Sequence, residues 1–165
     1  MPTSNPTDIL LTHNQWATHS VLDACAQLTD EQFHRRFEMG PGSLHDTLMH
    51  VLGAMRGWAD LLAQRPRRDR VEAGGPYAIE QLKSLLDDAH DDLVALVKAH
   101  PIDGEITGER GGDPYMFTRG AILTHVTTHG MHHRAQCLNM LRQMDVEKLP
   151  PTAVLEWLVM VDGQG

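Results

Sequence analysis

Apolar residues recur at helical spacing through four long segments of this 165-residue chain, and residues that start or stop helices bound them. The first segment spans 6–28, with Leu10, Ala17, Val21, Ala24 and Leu28 on one face. TDEQ at 29–32 then has the pattern of a capping box for a short turn of helix, with Thr29 as cap and Gln32 reaching back. GPGS at 40–43 breaks the chain, and Ser43 can cap the next helix. The second segment, 44–64, carries Leu44, Leu48, Val51, Met55, Trp58 and Leu62 as its buried stripe and is closed by Pro66. The third, 76–100, places Ile79, Leu82, Leu86, Ala89, Leu93 and Leu96 or Val97 on one side. Its Asp87, Asp88, Asp91 and Asp92 lie mostly outside that stripe and read as a solvated face. The fourth spans 119–144.

The stretch 101–118, rich in Gly and turn residues, lacks a helical period and predicts a loop or a small hairpin. After Pro150 and Pro151, TAVLEWLVMV is apolar enough to dock as a short helix, over the bundle or at a dimer surface. No strand-rich region, nucleotide-binding glycine motif or internal repeat stands out. The expected fold is all-α, a four-helix bundle with a short additional C-terminal helix, forming one domain over 1–165.

No apolar run reaches membrane-spanning length, and MPTSNPTD lacks the basic and apolar regions of a secretory leader, so a soluble cytoplasmic protein is expected. Cys25 and Cys137 form no CxxC pair and suggest neither a disulfide framework nor a thiolate zinc knuckle. A net charge of −8 argues against general nucleic-acid binding, which relies on clustered Lys and Arg at phosphates. The local exception is RPRRDR at 65–70. It reads first as a solvated loop after a helix, and second as a grip on an anionic substrate through Arg67 and Arg68.

The fourth segment holds the chemistry. Four of the chain's eleven histidines fall within AILTHVTTHGMHHRAQC at 121–137. At about 100° per residue, Ile122, Val126, His129, His133, Met140 and Met144 share a stripe roughly 60° wide, with Cys137 close by. His125 and His132 fall outside it. His129 and His133, four apart, stack about one turn from each other on the apolar face, where two imidazoles need partners or a shared cation. Hydrogen-bonded core histidines are the plain alternative. Cys137 could reach a metal at His133, though a buried thiol acting as a small hydrophobe is the simpler reading.

Catalytic zinc generally takes three protein ligands, so another helix must supply the third. His13, His45, His50 and His90 are the helical candidates, with Asp46 behind them, and periodicity alone leaves the choice open. GSLHDTLMHVLGAMRGWADLL at 42–62, LTHVTTHGMHHRAQCLNMLRQM at 123–144 and the opening HNQWATHSVLDACAQL at 13–28 together resemble the DinB/YfiT-like family of bacterial four-helix-bundle proteins. That resemblance implies a metal triad of one histidine on the second long helix and two on the last, here His50, His129 and His133. The family often has HRGQ where this chain has HRAQ at 133–136.

The resemblance also implies chemistry, since family members include S-transferases and isomerases that use low-molecular-weight thiols. Three imidazoles and one divalent ion, zinc or nickel first among the metals histidine suits, would activate a thiol or a water for attack on a small-molecule substrate. Asp46, one turn before His50, could orient that imidazole or act as a base; capping its helix is the structural alternative. A non-enzymatic metal-binding stress or sensor protein and a structural dimerisation module are the competing functions. Family habit and the apolar C-terminal segment are consistent with a homodimer, and equally consistent is a monomer with that segment folded over its own bundle.

Overall fold

A computed structural model describes residues 3–164. It is all-α apart from one hairpin. The elements in order are α1 (Pro6–Cys25), α2 (Asp30–His34), α3 (Leu44–Leu62), a 3-10 turn (Val71–Gly74), α4 (Ile79–Ala99), strands β1 (Glu105–Arg110) and β2 (Asp113–Thr118), α5 (Arg119–Gln143), α6 (Val154–Met160) and a last 3-10 turn (Asp162–Gln164).

α1 and α3 each pack against both α4 and α5, so the four long helices form a ring in the order α1, α4, α3, α5. Contacts between named residues set their directions. Asp23 meets Lys83 while His19 and Gln15 meet Asp87, so α1 and α4 run antiparallel. The backbone N–H of Tyr77 meets His45, and the far ends of α3 and α4 are linked by Arg65 between Asp60 and Asp92, so these two run parallel. Trp58 meets His125, His50 meets His129, and Arg119 meets the Leu62 carbonyl, so α3 and α5 are antiparallel. The bundle is therefore up-down-down-up, and the segment 63–78 must return the length of the bundle between α3 and α4. Val71, 1% exposed, anchors that crossover in the core.

Local signals in the sequence account for the helix starts. Asn5 Oδ1 accepts from the Thr7 N–H, with Pro6 in the first turn of α1. Thr29 and Gln32 exchange both bonds of the capping box, at 3.2 and 2.9 Å. Ser43 accepts from the Asp46 N–H at 3.0 Å. Thr29→Ala removes one half of the box on an exposed five-residue helix, and is expected to cost about 1 kcal/mol in denaturant unfolding. The stretch 101–118 is the hairpin rather than the loop: Gly111 and Gly112 both have positive φ, which a tight two-residue turn demands, and Ile106 is its inward anchor.

Several stripes lie differently from the sequence expectation, because each long helix faces two neighbours rather than one. On α1 Ala17 and Val21 are buried as expected, but the buried face widens to take in Leu11, Asn14, Thr18, Leu22 and Cys25, Leu10 is left exposed, and the helix ends at Cys25 rather than at residue 28. On α5 the buried face widens toward α1 to take in Leu123, Thr127, Gly130, Arg134 and Leu141. Arg134 Nη1 donates to Asn14 Oδ1 at 2.6 Å and Thr18 Oγ1 at 3.1 Å, which gives a buried cation polar partners on α1. Gly130 is small because Asn14 and Arg134 fill the space a side chain would need. The supposed solvated aspartates divide: Asp88 and Asp91 are exposed, Asp87 accepts from His19 and Gln15, and Asp92 accepts from Arg65 and Arg68.

α6 packs Trp157 inward against His13 of α1, and the His13 Nε2–H donates to the Thr152 carbonyl at 2.9 Å. Leu155 and Met160 on the same helix are exposed. Among the described residues, no helix is long and apolar enough to cross a membrane.

Candidate metal centre

His50 occupies the second turn of α3, on the side of that helix that faces α5. His129 and His133 stand one turn apart near the middle of α5. Antiparallel packing of these helices brings the three rings together, with centroids 5.0 Å (His50 and His129), 4.7 Å (His50 and His133) and 4.4 Å (His129 and His133) apart. His133 is buried, and the other two are half-buried. Each can offer a ring nitrogen to one point, the three ligand atoms lying within 4.8 Å of one another.

The nitrogens converge more closely than the rings. His129 Nε2 is 3.1 Å from His50 Nε2 and 3.1 Å from His133 Nε2. Two imidazole nitrogens on one tetrahedral zinc, each about 2.0–2.1 Å from the ion, lie roughly 3.3 Å apart, so the spacing fits a shared cation. Proton counting points the same way. His133 gives its Nδ1–H to Gln136 Oε1 at 2.8 Å, leaving a bare lone pair at Nε2. His129 Nε2 can act as donor to one neighbour or acceptor from the other. Neutral imidazoles can therefore satisfy at most one of the two short contacts, whereas a cation satisfies all three lone pairs.

Electrostatics keep the rings of His129 and His133 in the ligating form. Burial, and after it the neighbouring His133, His50, His125 and His132, pushes the His129 pKa down to about 4. Burial also lowers that of His133, against the Gln136 hydrogen bond. Both shifts favour neutral imidazole at pH 7, as metal binding requires. Between about pH 6.5 and 4 the unfolded His129 binds a proton that the folded one refuses, so its contribution to stability is present above pH 6.5 and lost as pH falls. Metal-free wild type is expected to lose thermal stability relative to His129→Gln across that window; a gap independent of pH would contradict the assigned burial.

The other sequence candidates sit elsewhere. Asp46 stands one turn before His50 but is engaged by other partners: Arg36 Nη1 donates to its carboxylate at 2.6 Å and His45 Nδ1 at 3.1 Å, and no hydrogen bond joins it to His50 among the described residues. Burial alone would raise the Asp46 carboxyl, but His45, Ser43 and Arg36 hold it below the ordinary carboxylate range. His45 accepts the Tyr77 N–H at Nε2, 3.3 Å away, and so joins α3 to the end of the crossover. His13 serves the docking of α6, and His90 sits near His19, Asp87 and Asp91 at the seam of α1 and α4. His125 packs edge-on against Trp58, centroids 4.9 Å apart, and lies 5.5 Å from His129 by the same measure. Cys137 is buried in the core outside the triad, and burial pushes its thiol up to about 12, which makes it a small hydrophobe rather than a thiolate ligand.

Gln136 has no role in the sequence reading, although its spacing of three from His133 on α5 was the available signal, since residues so placed face each other. The GPGS break has a second use here: Gly40, with φ of +49°, lies against the Gln136 amide where a side chain at position 40 would collide with it.

The family model described as DinB family matches residues 1–157. Two Bacillus subtilis proteins are similar over most of their length. One, named YizA and itself uncharacterised, is 24% identical over 143 residues, covering 85% of this chain and 84% of its own. The other, named Protein DinB, is 23% identical over 150 residues, covering 86% and 87%.

Proposed function

The chain belongs to the DinB family, and on that premise we propose that it is a metal-dependent enzyme holding one divalent transition metal ion, zinc or nickel, on His50, His129 and His133. The convergence of three Nε2 atoms, with two separations of 3.1 Å that protons alone cannot satisfy, carries the reading. Such an ion, when bound, acts as a Lewis acid and lowers the pKa of a thiol or water enough for it to attack at neutral pH.

The chain's own residues set the conditions for that chemistry. Three neutral ligands leave the positive charge of the centre uncompensated, which favours an anionic nucleophile. His125 stands beside His129, and Trp58 packs edge-on against His125, an aromatic wall between α3 and α5 suited to an apolar electrophile. Asp46 would have to leave Arg36 to serve as a base, so its assigned role is to fasten the start of α3 and His45. Thiol-dependent transfer or isomerisation is preferred to hydrolysis because the family resemblance points to low-molecular-weight thiols. On this reading the protein works in the reducing cytoplasm, with Cys25 and Cys137 as free buried thiols, and as a homodimer through the exposed apolar side of α6.

Elemental analysis of the untagged protein is expected to find one equivalent of metal. A panel of thiols and small electrophiles should then give turnover that requires both thiol and metal. Metal without turnover on any thiol or hydrolytic substrate would favour a sensor or stress protein. A wild type that takes up no metal after reconstitution would end the reading. Sedimentation across a dilution series tests the dimer.

A further inference from the structure

Of the three histidines, His133 is the one whose second ring nitrogen is engaged by a side chain; among the described residues, neither His50 nor His129 has a hydrogen bond at Nδ1. Its partner Gln136 is itself held from two sides. The Gln136 Nε2 donates to His132 Nε2 at 3.2 Å, which turns the amide oxygen toward His133. Gly40, in the loop before α3, presses on the same amide and leaves no room there for a side chain of its own.

We infer that Gln136 is the positioning residue of this centre: it locks His133 as the Nδ1–H tautomer, so that Nε2 meets His50 and His129 as a bare lone pair. The role deepens the metal-binding reading and rests on it for its purpose, but the lock itself exists without the ion. A hydrogen-bond acceptor on the remote nitrogen of a ligating imidazole fixes ring orientation and raises basicity, and its loss commonly costs about 10–100-fold in metal affinity. Gly40 belongs to the same device. Gly40→Ala would combine strain at positive φ with a collision at Gln136, and should loosen the lock without touching a ligand.

The test uses the full-length protein with Gln136→Leu and Gln136→Glu. In the metal-free state, nitrogen chemical shifts of the labelled histidine rings should report Nδ1–H for His133 in wild type and in Gln136→Glu, and loss of that tautomer in Gln136→Leu. Competition with a chromophoric chelator, using zinc alone as the probe, should show affinity reduced about 10–100-fold in Gln136→Leu and restored by the carboxylate acceptor of Gln136→Glu. Retention of Nδ1–H by Gln136→Leu would overturn the inference, as would zinc affinity equal to wild type. A general packing defect would instead weaken both variants alike, which also overturns it. Should wild type bind no zinc, the metal-binding reading fails, while the tautomer measurement still decides whether Gln136 sets the state of His133.

Discussion

His50→Ala, His129→Ala and His133→Ala, made singly in the full chain, are each expected to lose the bound equivalent of metal while keeping the helical circular-dichroism spectrum. Removing a partner of a ligand already costs about 10–100-fold in affinity, so removing a ligand should cost more than about 100-fold. The effect reaches stability by mass action. Metal at a hundred times its dissociation constant stabilises the folded wild type by about 2.7 kcal/mol. For a chain of this size that corresponds to a rise of roughly 5–10 °C in Tm on adding metal. The three variants should show almost none of that rise. His125→Ala, whose ring neighbours the centre without sharing its point of convergence, should keep most of it. Full occupancy in any of the three would remove that residue from the centre, and a loss in His125→Ala as well would mean that the cluster acts as a diffuse charge rather than as a ligand set.

The fold was legible because its determinants are local. Periodicity marks four helices, and Thr29 and Ser43 cap where the sequence places capping residues. Determinants that depend on which helices touch were not legible from one helical wheel. The stripe on α5 reads as one seam, but α5 lies between α1 and α3, so its polar residues divide into two groups. Arg134 faces Asn14 and Thr18, while His129 and His133 face His50. His50 itself is on the flank of the α3 stripe. Its inward direction depends on the antiparallel packing of α3 on α5, which spacing does not contain and which the family resemblance supplied. Gln136 was missed for a related reason. A polar residue three positions from a histidine is common on helices, and its meaning comes from Gly40, almost a hundred residues earlier, closing over it.

Asp60→Ala is expected to be among the most destabilising substitutions outside the apolar core, although neither composition nor motif singles the residue out. Asp60 sits in the last turn of α3 with only 1% exposure. Its carboxylate accepts from Arg65 Nε at 2.8 Å and from the Arg68 backbone N–H at 2.9 Å, and the Arg68 guanidinium pairs with it at 2.8 Å. Both arginines continue to Asp92 of α4. The arginine-rich loop is thus a fastening at the point where the chain leaves α3 and must turn back along the bundle to start α4 beside it. Arg65 and Arg68 are committed to the chain's own carboxylates, which leaves little of the loop for an anionic substrate.

Deleting one partner of a buried ion pair typically costs about 3–5 kcal/mol; because the guanidiniums are partly exposed and keep Asp92, the lower end, about 3 kcal/mol, applies. In Tm that is roughly 6–12 °C. Burial alone would raise the Asp60 carboxyl, but the Arg68 N–H and the two guanidiniums hold it below its ordinary value. The stabilisation is therefore present above the usual carboxylate range and lost as pH falls through the folded value. Denaturant unfolding at pH 7 should show the full difference between wild type and Asp60→Ala, and the difference should begin to narrow below about pH 4 and close as pH falls through the lowered folded value. Arg67→Ala, in the same loop and without a carboxylate partner among the described residues, should stay within about 0.5 kcal/mol of wild type. An Asp60→Ala protein as stable as wild type would mean that the crossover is held by Val71 and the core alone.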